Sequence, residues 1–166
     1  MLIEFLVVAV LMALLGVVLL TVYKTVLNSL AIITAKSVVT SQFRSAVEQF
    51  GRDVEAAQAF PATCGGGVYN ASSTVVLLDI PGSACIVYQC VGGLCTSASP
   101  GRLERLIVGT PPTRVLVPLS SNASSGMTLM NCTRLTNSVT CRWGLAQTVQ
   151  RFRVESKMMV MFTRRR

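Results

Sequence analysis

The chain has 166 residues, 51% of them hydrophobic but only 13% charged, with a net charge of +8 and no histidine. Length allows one domain. The lack of histidine removes the commonest general base, the Ser-His-Asp and Cys-His arrangements and the usual imidazole metal ligands. The composition therefore points away from an enzyme, a metal centre or a cofactor, and towards a membrane-linked or structural protein.

The hydrophobicity is concentrated at the start of the chain. Phe5 to Leu20 contains no charged or polar side chain, and Thr21, Val22 and Tyr23 extend the stretch to Lys24. As a helix this run reaches roughly 28 Å, about the thickness of a bilayer core. It fits a secretory signal peptide poorly, with no basic n-region, too long an apolar run and no small-x-small cleavage site after it.

Beyond it, Ile32, Val39, Phe43, Val47, Phe50, Val54 and Ala57 recur in steps of three, four or seven, one stripe of an α-helix. Arg44, Glu48 and Arg52 stand four apart and suit its exposed face. No proline precedes Pro61, and Gly16 and Gly51 are the only glycines before it. The pattern predicts one helix from near residue 2 to about Ala59, apolar all round in its first half and amphipathic in its second.

The composition changes after Phe60-Pro61. Cys64-Gly65-Gly66-Gly67 reads as a loop. Short β-like runs follow at Thr74–Ile80, Cys85–Val91, Leu103–Val108, Arg114–Leu119, Val139–Leu145 and Thr148–Glu155. Met158–Phe162 is expected to fold back on the last of these through Ser156-Lys157. The expected class is α+β: a long N-terminal helix on a C-terminal antiparallel sheet. Three regions result: an apolar half-helix at 1–24, an amphipathic half at 25–60, and a β-rich domain at 61–166. There is no heptad or other internal repeat.

Six cysteines, Cys64, Cys85, Cys90, Cys95, Cys132 and Cys141, all lie in the β-rich region. Their even number suggests disulfides and an oxidising compartment. The absence of Cys-x-x-Cys and of histidine opposes zinc. Fifteen connectivities are open, with Cys132 and Cys141 the best-placed local pair. Asn70, Asn122 and Asn131 each begin a glycosylation triplet.

Charge is also divided. Residues 1–101 sum to −1, whereas residues 102–166 sum to +9 and end Arg164-Arg165-Arg166. Arg151, Arg153, Arg164, Arg165 and Arg166 are candidate contacts for DNA or another polyanion. Such binding would be salt-sensitive and independent of sequence, because Trp143, Phe152 and Phe162 are too few aromatic residues for a stacking platform. The competing reading is that these side chains solvate the surface or pair across subunits.

Glu4 is the diagnostic residue of the apolar half. A carboxylate beside an uninterrupted apolar helix is costly in a membrane and calls for a partner, and no Lys or Arg precedes Lys24. The run Leu2-Ile3-Glu4-Phe5-Leu6-Val7-Val8 resembles the opening of mature type IV pilins and pseudopilins. Phe43 to Ala57 is similar to the helix end of J/W-type minor pilins, and Ile86-Val87-Tyr88 with Gly92-Gly93-Leu94 echoes strands of that group. The acid is fourth here rather than fifth, Met1 stands where the family has Phe, and Leu20-Thr21-Val22 occupies the neighbourhood of a common helix-breaking proline.

The resemblance implies a structural subunit of an extracellular type IV pilus or related cell-surface filament, inserted in the inner membrane before assembly. It implies identical or related pilin subunits as partners, and Glu4 neutralising the processed, often methylated, N-terminal amine of a neighbouring subunit, here at Met1. It also implies local helix loss after assembly, placed here in Gly16–Val22. The alternatives are a minor pseudopilin of a type II secretion or DNA-uptake system, and a membrane-anchored polyanion-binding module.

Overall fold

The computed structural model describes residues 2–81, 85–117, 125–149 and 152–164. One helix, α1, spans Leu2–Ala56 without a break. Nothing in its sequence interrupts it, and Gly16 alone costs only about 1 kcal/mol relative to alanine. It stops three residues short of the expected end because the sheet captures the chain. The Gln58 N–H donates to the Asp79 carbonyl (2.7 Å), and the Asp79 N–H donates to the Ala59 carbonyl (3.0 Å).

Nine strands follow among the described residues. β1 (Thr63–Cys64) and β2 (Tyr69–Asn70) form a small hairpin. Gly65, Gly66 and Gly67 turn it with φ of 61°, 70° and 91°, a region that side chains other than glycine rarely enter. β3 (Val75–Leu78), β4 (Ile86–Val91), β5 (Arg102–Ile107) and β6 (Thr110–Val117) make an antiparallel sheet in chain order. β7 (Gly126–Arg134), β8 (Ser138–Val149) and β9 (Phe152–Thr163) make a second one. Gly101 and Met127 join the two, each N–H donating to the other's carbonyl at 2.8 and 2.7 Å.

The fold is α+β, with the long N-terminal helix packed on a C-terminal antiparallel β domain. The helix lies against β8 and β9 and touches β6. Its buried stripe is Ala35, Val39, Phe43, Ala46, Phe50, Val54 and Ala57. Ile32, expected in that stripe, is exposed, and Val47 is only half-buried. Phe50 is the hub of the core, with ring centroids 4.9 Å from Tyr88, 5.2 Å from Trp143 and 5.7 Å from Phe162.

The end of the chain differs from expectation. Thr148–Glu155 is not one strand, and Ser156-Lys157 is not a turn. Val149 pairs with Phe152, and Ser156 and Lys157 sit mid-strand opposite Leu145 and Gly144. Neither residue is a glycine, proline or asparagine that would force a tight turn, and alternation continues past them: Val160 is buried and Phe162 half-buried, while Met159 and Met161 face outward. The strand Gly126–Arg134 was not foreseen, because its mixed apolar, Asn and Thr composition resembles a loop.

Candidate functional site

The most unusual surface is the helix before it meets the sheet. From Ile3 to Ile33 its large apolar side chains are exposed, Ile3 at 80% and Ile33 at 63%. An 18-residue window within it has mean hydropathy 3.1. The helix is long and apolar enough to cross a membrane. Thr21, Thr25, Thr34 and Thr40 each bond back to the carbonyl four residues earlier, at 2.8 to 2.9 Å. Their hydroxyls are thereby satisfied within the helix, as a nonpolar environment requires.

Glu4 lies in the first helical turn, where a carboxylate complements the positive end of the helix dipole. Gly16 lies within the continuous helix, with no heavy atom within 4 Å of where a Cβ would stand. Met1 lies outside the described residues.

Where the helix enters the sheet, Asp53 anchors it. The carboxylate is buried and accepts from the Tyr88 hydroxyl of β4 (2.5 Å), from Arg105 Nε of β5 (2.6 Å) and from Gln49 one turn earlier (3.2 Å). Arg114 of β6 reaches Gln49 at 3.5 Å. Burial pushes the Tyr88 hydroxyl well above the usual phenol range, and the charge and hydrogen bond of Asp53 push it further, against the opposing charge of Arg105. Burial works to lower the Arg105 guanidinium, but its bond to Asp53 and that carboxylate's charge outweigh burial and raise it. Two strands, β4 and β5, are thus fastened to one helical face through a single carboxylate, and β6 through Gln49 beside it. Sequence reasoning missed this and singled out neither Asp53 nor Arg105. The signal was there: Asp53 adjoins Val54 of the apolar stripe.

Much of the C-terminal positive charge serves internal contacts. Arg102 pairs with Glu104 (2.5 Å), and Lys157 lies 3.7 Å from Glu155. The last turn of α1 has no basic side chain. Arg164 instead donates to the Gln58 carbonyl, and Arg134 to the carbonyls of Phe60 and Pro61. Both cations therefore hold the segment that follows α1 rather than the helix itself. Arg153 donates to the Ser97 carbonyl (2.8 Å). Arg153 and Arg164 are not brought together, and Arg151, Arg165 and Arg166 lie outside the described residues.

The six cysteines form three pairs. Cys64–Cys85 and Cys90–Cys95 have Cα atoms 6.2 and 6.4 Å apart. Cys132–Cys141, the local pair singled out by spacing, lies directly across β7 and β8 with a Cα separation of 4.1 Å. Asn70 on β2 and Asn131 on β7 are exposed, whereas Asn122 lies outside the described residues. No group of three or more His, Cys, Asp or Glu side chains suited to a metal ion occurs among the described residues.

Comparison with protein-family models, with curated proteins and with solved structures gives no match to this chain.

Proposed function

We propose that this protein is the structural subunit of an extracellular filament of the type IV pilus kind, polymerising through the apolar half of its N-terminal helix. The carrying observation is the helix itself, whose side chains are buried by the sheet from Ala35 onward and exposed from Ile3 to Ile33. So large an apolar surface is not left to water in a soluble protein. Lipid covers it before assembly, and the same segments of neighbouring copies cover it afterwards. Exchanging lipid for apolar side chains costs little hydrophobic free energy, so a subunit can pass from the membrane to a filament at the cell surface.

In this reading Glu4 selects the assembled state. Inside a core of apolar helices a lone carboxylate is costly, whereas a carboxylate beside an amine compensates two charges at once. The N-terminal amine of a neighbouring subunit supplies the partner. The resemblance of residues 2–8 to pilin openings supports this role. It serves a main subunit and a minor or secretion-type pseudopilin equally. The polyanion-binding alternative has less support, because Arg102, Arg105, Arg134, Arg153 and Arg164 all have partners within the chain.

The test is Glu4→Gln. Fibre yield is expected to collapse while the β domain keeps its disulfides and fold, since Glu4 is remote in sequence from every residue of the core. Fibres at the unsubstituted level would remove Glu4 from the mechanism.

A further inference from the structure

The sheet of β7, β8 and β9 has one face against α1 and one turned away from it. Cys141 and Trp143 of β8 and Val160 of β9 are buried on the helix side, where Trp143 meets the Phe50 ring. By the two-residue period of a strand, Thr140 and Arg142 of β8 stand on the other face. β8 is the central strand. Pairing sets Arg142 between Asn131 of β7 and Met159 of β9, and Thr140 between Thr133 and Met161. These side chains form two adjoining rungs, about 7 Å apart along the strands and about 10 Å across them.

The rungs are fixed from behind. Cys132 lies between Asn131 and Thr133, Cys141 lies between Thr140 and Arg142, and the two cysteines are bridged across β7 and β8. Asn131, Thr133, Thr140, Arg142 and Met159 line a concave space of about 380 Å³, within the size range of small-molecule sites. Arg142 is also exceptional in its lack of a partner. Every other described arginine hydrogen-bonds or ion-pairs within the chain. Arg142 does neither, and the side chains of Asn131, Thr133 and Thr140 make no hydrogen bond among the described residues. A planar guanidinium with its donors unengaged matches a carboxylate, which it grips through two parallel bonds.

We infer that this face binds a sugar acid, a monosaccharide unit carrying one carboxylate, and does so independently of the filament function. Arg142 takes the carboxylate. Thr133, Thr140 and Asn131 supply donors and acceptors to the ring hydroxyls. Met159 and Met161, exposed at 65% and 63%, give adaptable apolar contact to the C–H face of the ring. Other acidic ligands fit less well. A peptide added as a strand needs free backbone groups, and those of β8 are taken up by pairing on both sides. A nucleic acid calls for several free cations and stacking rings, whereas the two rungs offer one cation and no aromatic side chain.

The experiment is equilibrium dialysis of the full chain in a neutral detergent, at constant ionic strength, against D-glucuronate, D-galacturonate and N-acetylneuraminate, with D-glucose and inorganic phosphate as controls. Peptide mass spectrometry first establishes that Asn131 is unmodified, since a glycan there would fill the same space and overturn the site. The expected result is saturable binding of at least one sugar acid, about tenfold or more tighter than that of glucose or phosphate. Arg142→Lys keeps the charge but not the fork, and is expected to weaken it about tenfold or more. Thr140→Val keeps the charge and the strand, and is expected to weaken it about threefold through one lost hydrogen bond. If no sugar acid binds saturably, if phosphate binds as tightly, or if Arg142→Lys binds as well as the unsubstituted chain, the site is wrong.

Discussion

Asp53 shows how much one side chain can carry. It is the point at which the helix, β4 and β5 share a charge, and its removal leaves Arg105 without the carboxylate it was placed for. Asp53→Ala is expected to destabilise the β domain by about 3 kcal/mol, the usual cost of breaking a largely buried pair from one side. Denaturant titration of the full chain in detergent would measure it, and a loss below 1 kcal/mol would show the anchor to be incidental. Tyr88 adds a pH dependence of definite sign. Its folded pKa is raised, whereas in an unfolded chain it titrates near ~10. Its contribution is therefore complete below about pH 10 and lost as pH rises past that value, where the unfolded chain gives up the proton and the folded chain keeps it. Tyr88→Phe is expected to cost about 1.5 kcal/mol at neutral pH through the lost bond to a charged acceptor, and to flatten the fall of stability above pH 10. Equal alkaline slopes in the two proteins would contradict this.

At the scale of elements, the two glycines of α1 make opposite predictions. Around Gly16 there is open space, so Gly16→Ala strengthens the isolated helix by about 1 kcal/mol. If the helix loosens in Gly16–Val22 on assembly, the same change slows fibre growth. A Cβ on Gly51 would come within 2.6 Å of the Phe162 ring, so Gly51→Ala forfeits that gain and destabilises by about 1 kcal/mol through overpacking. Thermal unfolding of both variants separates the cases, and Phe162→Leu should relieve the second but not the first. These elements were unequally legible in the sequence. The helix announced itself through its unbroken apolar run and the step of three and four after it, and its buried stripe from Val39 to Ala57 was readable from spacing alone. Ile32 was misjudged because the same periodicity continues where no sheet lies beside it. The last hairpin was misplaced because two polar residues in succession were read as a turn, whereas both lie within one strand, opposite Leu145 and Gly144. Strand order, and the union of the sheets through Gly101 and Met127, depend on contacts distant in the chain that no local pattern encodes.

For the whole molecule, the division is between a domain that is complete in its core and a helix that extends beyond it. The three cysteine pairs, the Phe50 hub and the arginines at the helix end hold together the upper half of α1, the segment after it and the sheets; none of them touches residues 3–33. The Asp53 anchor was not legible in the sequence, because a buried carboxylate and a surface one look alike until the partner strands are in place. The central claim is that the exposed half of α1 forms the core of a filament, and helical reconstruction of surface fibres made by this chain tests it most directly. The account predicts a dense centre of parallel helices comprising residues 3–33, with the β domains outside and each Glu4 against a neighbouring copy. Fibres whose subunits meet only through their β domains, with the apolar helices outside the core, would contradict it.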